Sequence, residues 1–184
     1  MPINTPLFRS SEIQFTAIDY ETDPAIETVW TSDPAFARMI STEPMKPISA
    51  DQVKKKYEKI EKRFEDDKDL YYFQVRLNQN KRLIGFGLIE NISWTNRTAS
   101  LLLGIGAAAD RRKGYGTKIL EMLVQFGFHE LNLRKLSATI PSYNPTAISL
   151  IQKAGFIQEA CRREALQKDG SYWDELIFGL EKGR

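Results

Sequence analysis

The spacing of apolar residues along the chain changes between a period of two and a helical period, and each change marks a new element. Residues 12–18 alternate polar and apolar side chains, which predicts a first strand. From Leu70 the period of two returns, and the turn residues of 78–81 fall between two apolar runs, which predicts a hairpin. The strands of this hairpin are 71–77 and 83–92, and two further strands, 98–106 and 135–140, follow. A last hairpin consists of 156–166 and 172–180 around a turn at 168–171.

Helix-start signals fill the intervals between these strands. The segments 22–24 and 32–34 each put a proline in a first helical turn, which predicts one helix that is interrupted and restarts. Ser49 and Gln52 make a capping-box pattern before apolar residues at helical spacing. We interpret the many Lys and Glu residues of that helix as a solvated face. The segment 42–47 contains two prolines, and we predict that it is a loop over a site.

A glycine-rich stretch after the strand 98–106 carries the most specific chemistry. Arg111, Arg112 and Lys113 precede Gly114 and Gly116, and apolar residues at helical spacing follow. Glycine allows the backbone to approach a ligand closely, and the first N–H groups of a helix favour phosphate because they have no intrahelical partner. The stretch therefore predicts a pyrophosphate-binding loop. From these residues alone, a solvated helix start is the alternative.

Asn144 and Pro145 predict the start of a last helix, which Gly155 ends. With the interrupted first helix counted once, the order of elements is β, α, α, β, β, β, α, β, α, β, β. Strands and helices alternate within a short chain, which predicts one mixed α/β domain over residues 1–184 with a core of 8–180.

Composition narrows the class of protein further. The chain has 184 residues, 42% of them hydrophobic, which is enough for a real core. A formal net charge of +2 implies no nucleic-acid partner. The lone Cys161 and the lone His129 argue against a disulfide and a metal site. No apolar stretch approaches the ~18 residues of a membrane span, and the first ten residues have no signal-peptide core, so we expect a cytoplasmic protein without a membrane partner.

The spacing of the glycine-rich stretch resembles the [QR]-x-x-G-x-[GA] signature of the GCN5-related N-acetyltransferases (GNAT). The order of elements is similar as well, and the C-terminal half resembles the branch with RimJ-like, RimL-like and spermidine acetyltransferases. The resemblance covers about 83–180, while the first 80 residues match only in layout. Its residues outside the glycine loop are Asn144 to Ala147, Lys153, Gly155, Phe156, Glu159, Arg163, Glu164, Asp169, Gly170, Tyr172 and Asp174.

The resemblance implies a GNAT fold, in which a mixed central sheet flanked by helices splays into a V between its fourth and fifth strands. It implies acetyl-CoA as co-substrate, with the pantetheine arm in the V and the pyrophosphate on the glycine loop. Asn144 would contact the arm, although a plain helix N-cap explains it equally well. The implied cofactor-binding residues are Leu103, Gly104, Ile105, Gly106, Arg111, Arg112, Lys113, Gly114, Tyr115, Gly116, Thr117, Asn144, Ala147 and Ile151.

Three positions depart from the pattern that the resemblance implies for acid–base catalysis. Many members carry a glutamate base where this chain has Ser100, and a tyrosine acid where it has Ile151. RimL-like members use a serine where this chain has Ala147.

The sequence offers four substitutes for the missing acid and base. Glu43 or Glu90 could relay a proton through water, against the alternatives of an exposed loop carboxylate and a strand-end charge. Tyr143 could protonate the thiolate, or simply pack. Ser100 could hold a water molecule in line.

The function that the resemblance implies is acetyl transfer from acetyl-CoA to a primary amine, by direct attack in a ternary complex. The acceptor would be a small amine, a polyamine or a protein N-terminus. The first third of the chain, which should form the acceptor wall, carries no recognisable motif. The alternative is a non-catalytic acyl-CoA-binding module or sensor. A homodimer is also expected, because relatives of this branch are often dimers.

Overall fold

A computed structural model describes residues 6–183. The predicted domain of 1–184 therefore extends beyond the described residues, by residues 1–5 and by Arg184. No helix in the described range is long and apolar enough to cross a membrane. The predicted order is confirmed, and the interrupted first helix is two separate helices. The elements are β1 (Ile13–Thr16), α1 (Asp23–Thr31), α2 (Pro34–Ile40), α3 (Ala50–Lys62), β2 (Leu70–Leu77), β3 (Leu83–Ser93), β4 (Thr98–Ile105), α4 (Tyr115–Gln125), β5 (Lys135–Pro141), α5 (Pro145–Lys153), β6 (Ile157–Lys168) and β7 (Ser171–Glu181).

Side-chain caps form the predicted starts of α2 and α3, whereas α1 begins after Thr22 without one. The Asp33 carboxylate accepts the amide of Ala35 at 2.9 Å, at the start of α2. At the start of α3, Ser49 Oγ accepts the Gln52 amide at 3.3 Å, and Gln52 Oε1 accepts the Ser49 amide at 2.8 Å. This reciprocal pair is the capping box that the sequence predicts. The chain between α2 and α3 is a loop, also as predicted.

The seven strands form one sheet in the order β1-β2-β3-β4-β5-β7-β6. Neighbouring strands are antiparallel except for β4 and β5, which are parallel. These two strands pair only from Thr98 with Lys135 to Ser100 with Ser137, although both continue further. Beyond that point they part, which confirms the predicted V between the fourth and fifth strands.

Two apolar clusters hold helices against the two faces of the sheet. The larger one joins α4 and α5 to one face, and its buried members include Ile119, Leu123 and Phe178. The smaller cluster, on the opposite face, includes Trp30 of α1 and Phe86 of β3. Because the helices α1 to α3 cover this second face incompletely, space is left between α3 and the sheet.

Candidate active site

The start of α4 is an open loop with exposed backbone. Gly114 has a φ of +83° and Arg112 a φ of +62°, so the chain turns through two left-handed positions. The first amide bonded back into the helix is that of Lys118, to the Gly114 carbonyl at 3.3 Å. The amides of 115–117 precede it and have no intrahelical acceptor. A Cβ built on Gly114 would meet nothing within 4 Å, so a ligand can reach the backbone.

The side chain of Arg111 supports this loop from inside the fold. Its guanidinium donates to the carbonyls of Ile105 (3.2 Å) and Gly106, and to the Asp33 carboxylate at 2.7 Å. It also lies 5.9 Å from the ring centre of Phe36. The Arg111 guanidinium is therefore engaged in holding the loop against the fold.

An ion pair between the half-exposed Arg82 and the buried Asp110 also supports this loop. The Asp110 carboxylate accepts two bonds from Arg82, at 2.6 and 2.7 Å, and Arg82 holds the pKa of this carboxyl below its usual range. Arg112 and Lys113 remain exposed beside the glycines. The result is a supported loop that presents free amides and two cations, which suits a phosphate group.

The V between β4 and β5 begins at a pair of serines. The hydroxyls of Ser100 and Ser137 are 3.3 Å apart, and Ser137 also donates to the Ala99 carbonyl at 3.2 Å. From 101 to 105, β4 pairs with β3 alone. Its other edge therefore presents backbone groups that no strand pairs with at the predicted pantetheine-binding residues 103–105, of which the Ile105 carbonyl accepts the bond from Arg111.

Gly104 of β4 and Gly106, the residue directly after this strand, are required by packing against α1, α2 and β3. A Cβ on Gly104 would lie 2.8 Å from Ile40 and 2.9 Å from Phe86. A Cβ on Gly106 would lie 2.0 Å from the ring of Trp30. These two glycines hold α1 and α2 close to the end of β4, whatever their backbone contributes to ligand binding.

Two cavities adjoin beneath the V. The smaller, about 260 Å³, lies between β4 and β5 and is lined by residues that include Thr139 and Glu175. The larger, about 740 Å³, lies between α3 and the sheet. Ile40 and Leu102 line both cavities. A group held in the V can therefore meet a molecule in the larger cavity at these two residues.

Glu90 and Glu43, the two predicted relay carboxylates, occupy different environments. Glu90 lines the larger cavity and is the direct cross-strand partner of Ser100. Its carboxylate accepts a bond of 3.4 Å from Arg63. Glu43 lies in the exposed loop after α2 and lines neither cavity. Of the two, the structure brings only Glu90 together with Ser100.

The predicted residues around α5 have structural contacts of their own. Asn144 Oδ1 accepts the Ala147 amide at 3.1 Å, so the N-cap role is confirmed. The Tyr143 hydroxyl donates to the Arg38 carbonyl at 3.2 Å, and burial raises the pKa of this phenol. Ala147 packs against the larger cluster, and Ile151 is a buried member of it.

Several charged residues that line the cavities are not among the predicted site residues. Lys55, Lys56 and Lys59 line the larger cavity. Lys55 and Lys59 are also exposed to solvent, in keeping with the predicted solvated face of α3. Glu175 lines the smaller cavity, where Arg162 contacts it at 2.6 Å. The sequence does contain a signal that could have identified this side of α3, because the cavity-lining positions of the helix and the following turn recur at helical spacing. These positions are Gln52, Lys55, Lys56, Lys59, Ile60 and Arg63.

Together these features define a class of protein, one that binds an extended, phosphate-bearing ligand beside a second substrate. A helix N-terminus with free amides and nearby cations, followed by a split between parallel strands, suits an extended ligand with a phosphate at one end. The second cavity meets the other end of that path, where a second substrate can enter. Within residues 6–183, no three His, Cys, Asp or Glu side chains are grouped so that they could hold a metal ion.

Comparison with known proteins identifies the family. The Acetyltransferase (GNAT) domain family matches residues 14–157, and the chain belongs to this family. Among solved structures, spermidine N-acetyltransferase from Vibrio cholerae, in complex with CoA and spermine, superposes with a TM-score of 0.81. That likeness has 23% sequence identity and covers 94% of this chain and 96% of the other.

Curated relatives agree with this family, although the alignments are partial. The protein named "Probable N-acetyltransferase YjcK" of Bacillus subtilis is 27% identical over 128 residues, which is 69% of this chain and 70% of the relative. The prophage-derived N-acetyltransferase YokL of B. subtilis is 33% identical over 72 residues, and only 41% of its length is matched. Spermidine N(1)-acetyltransferase of V. cholerae is 26% identical over 120 residues, or 69% of its length.

Proposed function

We propose that this chain transfers the acetyl group of acetyl-CoA to a primary amine, by direct attack in a ternary complex. The observation that carries the proposal is the parting of β4 and β5 beyond Ser100 and Ser137, beside the open N-terminus of α4. Membership in the GNAT family supports it. So do the V. cholerae neighbour, solved with CoA, and the relatives named as N-acetyltransferases.

The chain has the groups that acetyl-CoA needs at each end. The free amides at the start of α4, with Arg112 and Lys113, would hold the pyrophosphate. The unpaired edge of β4 at 103–105 would hold the pantetheine arm, and Leu102 lies where the arm would reach the cavities. When bound, acetyl-CoA supplies the activated acetyl group.

Backbone donors on β4 would stabilise charge during the transfer. As the amine attacks, negative charge develops on the thioester oxygen, and a fixed N–H aimed at that oxygen contributes ~2.7–4 kcal/mol in other enzymes. Holding the amine and the thioester together in the adjoining cavities contributes further, because the reaction becomes effectively unimolecular.

Proton removal would pass through water to Glu90. An alkyl ammonium has a pKa of ~10, so the amine must lose a proton before it can attack. No carboxylate stands at Ser100 itself, and Glu90 lies one strand away. A base contributes ~10²–10⁴-fold, and one that acts through water belongs at the low end of this range. The rate should therefore keep rising above pH 8 as the free amine becomes more abundant.

A second candidate function is a non-catalytic acyl-CoA-binding module or sensor. The observation that favours it is the absence of an acid or base at Ser100, Ala147 and Ile151, the last of which is buried in the core. Such a protein would bind acetyl-CoA without turnover.

Release of CoA thiol tests the two functions against each other. Acetyl-CoA is incubated with polyamines, amino acids, aminoglycosides and peptides with free N-termini, and thiol release is followed. Amine-dependent release supports the enzyme, whereas binding of CoA without release on any amine supports the sensor. Sedimentation of the same sample tests the homodimer, which stays a prediction.

A further inference from the structure

The wall of the larger cavity formed by α3 is strongly basic. Lys55, Lys56 and Lys59 stand on the same side of the helix, Arg63 follows one turn later, and the loop after α2 adds Lys46. Among the described residues that line this cavity, Glu90 is the one carboxylate.

Three of these five cations keep their charge uncompensated. Within residues 6–183, no carboxylate oxygen lies within 4.0 Å of the ammonium of Lys46, Lys55 or Lys59. Arg63, by contrast, contacts Asp69 at 2.7 Å and Glu90 at 3.4 Å. The cavity therefore has a net positive charge although the chain as a whole is nearly neutral.

The buried carboxylate next to this cavity is already neutralised by the protein itself. Glu27, only 3% exposed, accepts bonds from Lys56 (2.9 Å), the Tyr72 hydroxyl (3.0 Å) and the Gln74 amide (3.0 Å). The Lys56 ammonium also lies 5.7 Å and 5.5 Å from the ring centres of Tyr72 and Phe86. Both features that could attract a cationic substrate, a carboxylate and aromatic faces, are thus used by the chain's own lysine.

We infer that the acceptor is a primary amine carrying an anionic group, a carboxylate or a phosphate. The inference rests on the proposed function and specifies its substrate. Lys55 and Lys59, with Lys46, bind the anionic group, and the amine points to Ile40 and Leu102, where the two cavities adjoin. A volume of about 740 Å³ is in the ordinary size range of sites for small molecules.

The same charges exclude polyamines. Spermidine is a polycation, and its additional ammonium groups would meet three uncompensated lysines without a free carboxylate. Like charges placed together lower affinity and give specificity against such a partner. In the reaction itself the amine nitrogen forms the new bond to the acetyl carbon, the carbon–sulfur bond breaks, and the proton lost by the amine is balanced by the one that the thiolate gains.

The test compares acceptors that differ in charge but hardly in shape. The pairs are 4-aminobutyrate with its amide, O-phosphoethanolamine with ethanolamine, and a peptide beginning Ala-Asp with one beginning Ala-Asn; spermidine is the polycation. We expect kcat/KM to be at least about tenfold higher for the anionic member of each pair, because one hydrogen bond between charged groups is enough for such a difference. The pair with the largest ratio distinguishes a carboxylate from a phosphate and a small molecule from a peptide.

A charge reversal on α3 supplies the structural control. Lys55→Glu with Lys59→Glu should lower kcat/KM for the anionic acceptors by about tenfold or more, while CoA binding stays unchanged. Lys54→Glu with Lys62→Glu makes the same change in net charge on the same helix, but neither residue lines the cavity. This second variant should keep the preference of the wild type, and thermal unfolding of both verifies that they fold.

Turnover of spermidine or of the neutral members as fast as of the anionic ones would overturn the inference and leave the proposed function intact. An equal loss in both double variants would overturn it as well, because position on the helix would then not matter. Intact CoA binding without thiol release on any acceptor would remove the proposed function, and this inference with it.

Discussion

Glu90 and Ser100 face each other across β3 and β4, so this chain carries a carboxylate one strand away from the position where the GNAT resemblance implies a base. We predict that Glu90→Gln lowers kcat about a hundredfold, the low end for a general base, because its carboxylate acts through water. Glu43→Gln, in the exposed loop, should lower kcat much less. Steady-state thiol release measures both.

A different size of effect would contradict this account of the base. A loss of more than about a thousandfold in either variant would reveal a dedicated base in direct contact with the amine. An unchanged kcat in Glu90→Gln would remove Glu90 from the relay and direct attention to Glu175 in the smaller cavity.

Substitutions of Ile151 test whether protonation of the thiolate limits the reaction, because Tyr and Phe at this position differ by a single hydroxyl. The Ile151 side chain is buried in the core, with 5% of it exposed. Replacing it by the bulkier ring of Phe or Tyr should therefore cost ~1–3 kcal/mol of stability through overpacking. We predict that Ile151→Tyr and Ile151→Phe lose similar stability in thermal unfolding, and that Ile151→Tyr has the higher kcat because its phenol can donate a proton. Equal kcat values would show that protonation by a residue at 151 does not limit the reaction.

At the scale of elements, the Arg82–Asp110 pair supports the loop before α4 and makes its stability depend on pH. Arg82 lowers the pKa of the Asp110 carboxyl in the folded chain. In the unfolded chain the pKa of an Asp carboxyl is ~3.9, so the folded chain protonates Asp110 less readily than the unfolded chain does. The stabilisation is present above about pH 4 and is lost as the pH falls through the lowered pKa.

Asp110→Asn should therefore be less stable than the wild type at pH 7, and the difference should shrink below about pH 4. It should also weaken CoA binding, because the loop amides lose a support. Urea unfolding at several pH values and a CoA titration measure the two effects. A constant difference in stability at every pH would contradict the role of the ion pair.

The sequence predicted the elements whose signals are local. The capping box of Ser49 and Gln52 and the N-cap Asn144 involve neighbours in the chain, and both are in place. The extent of the V depends on where β4 stops pairing with β5, and the resemblance implied it while no local pattern could. The basic side of α3 was missed because the sequence does not show which part of a lysine-rich helix faces a cavity.

At the scale of the whole molecule, charge is distributed unevenly. The net charge of +2 suggests no polyanion-binding face, yet the larger cavity concentrates cations and the loop before α4 adds Arg112 and Lys113. Because both substrates would then carry negative groups, we predict that raising the salt concentration increases both KM values, while Tm changes little. Steady-state kinetics from low to high salt measure this, and KM values independent of salt would contradict it.

The central claim is that the loop before α4 binds the pyrophosphate of acetyl-CoA. Calorimetric titration of CoA into the wild type, Gly114→Val and Gly170→Val tests it most directly. Gly114 and Gly170 both have positive φ values, +83° and +74°, and a Cβ on either would meet nothing within 4 Å, so the two substitutions impose the same kind of backbone strain. We predict binding by the wild type and by Gly170→Val, whose turn joins β6 to β7, and a loss of binding by Gly114→Val. No binding by the wild type, or equal weakening in both variants, would contradict it.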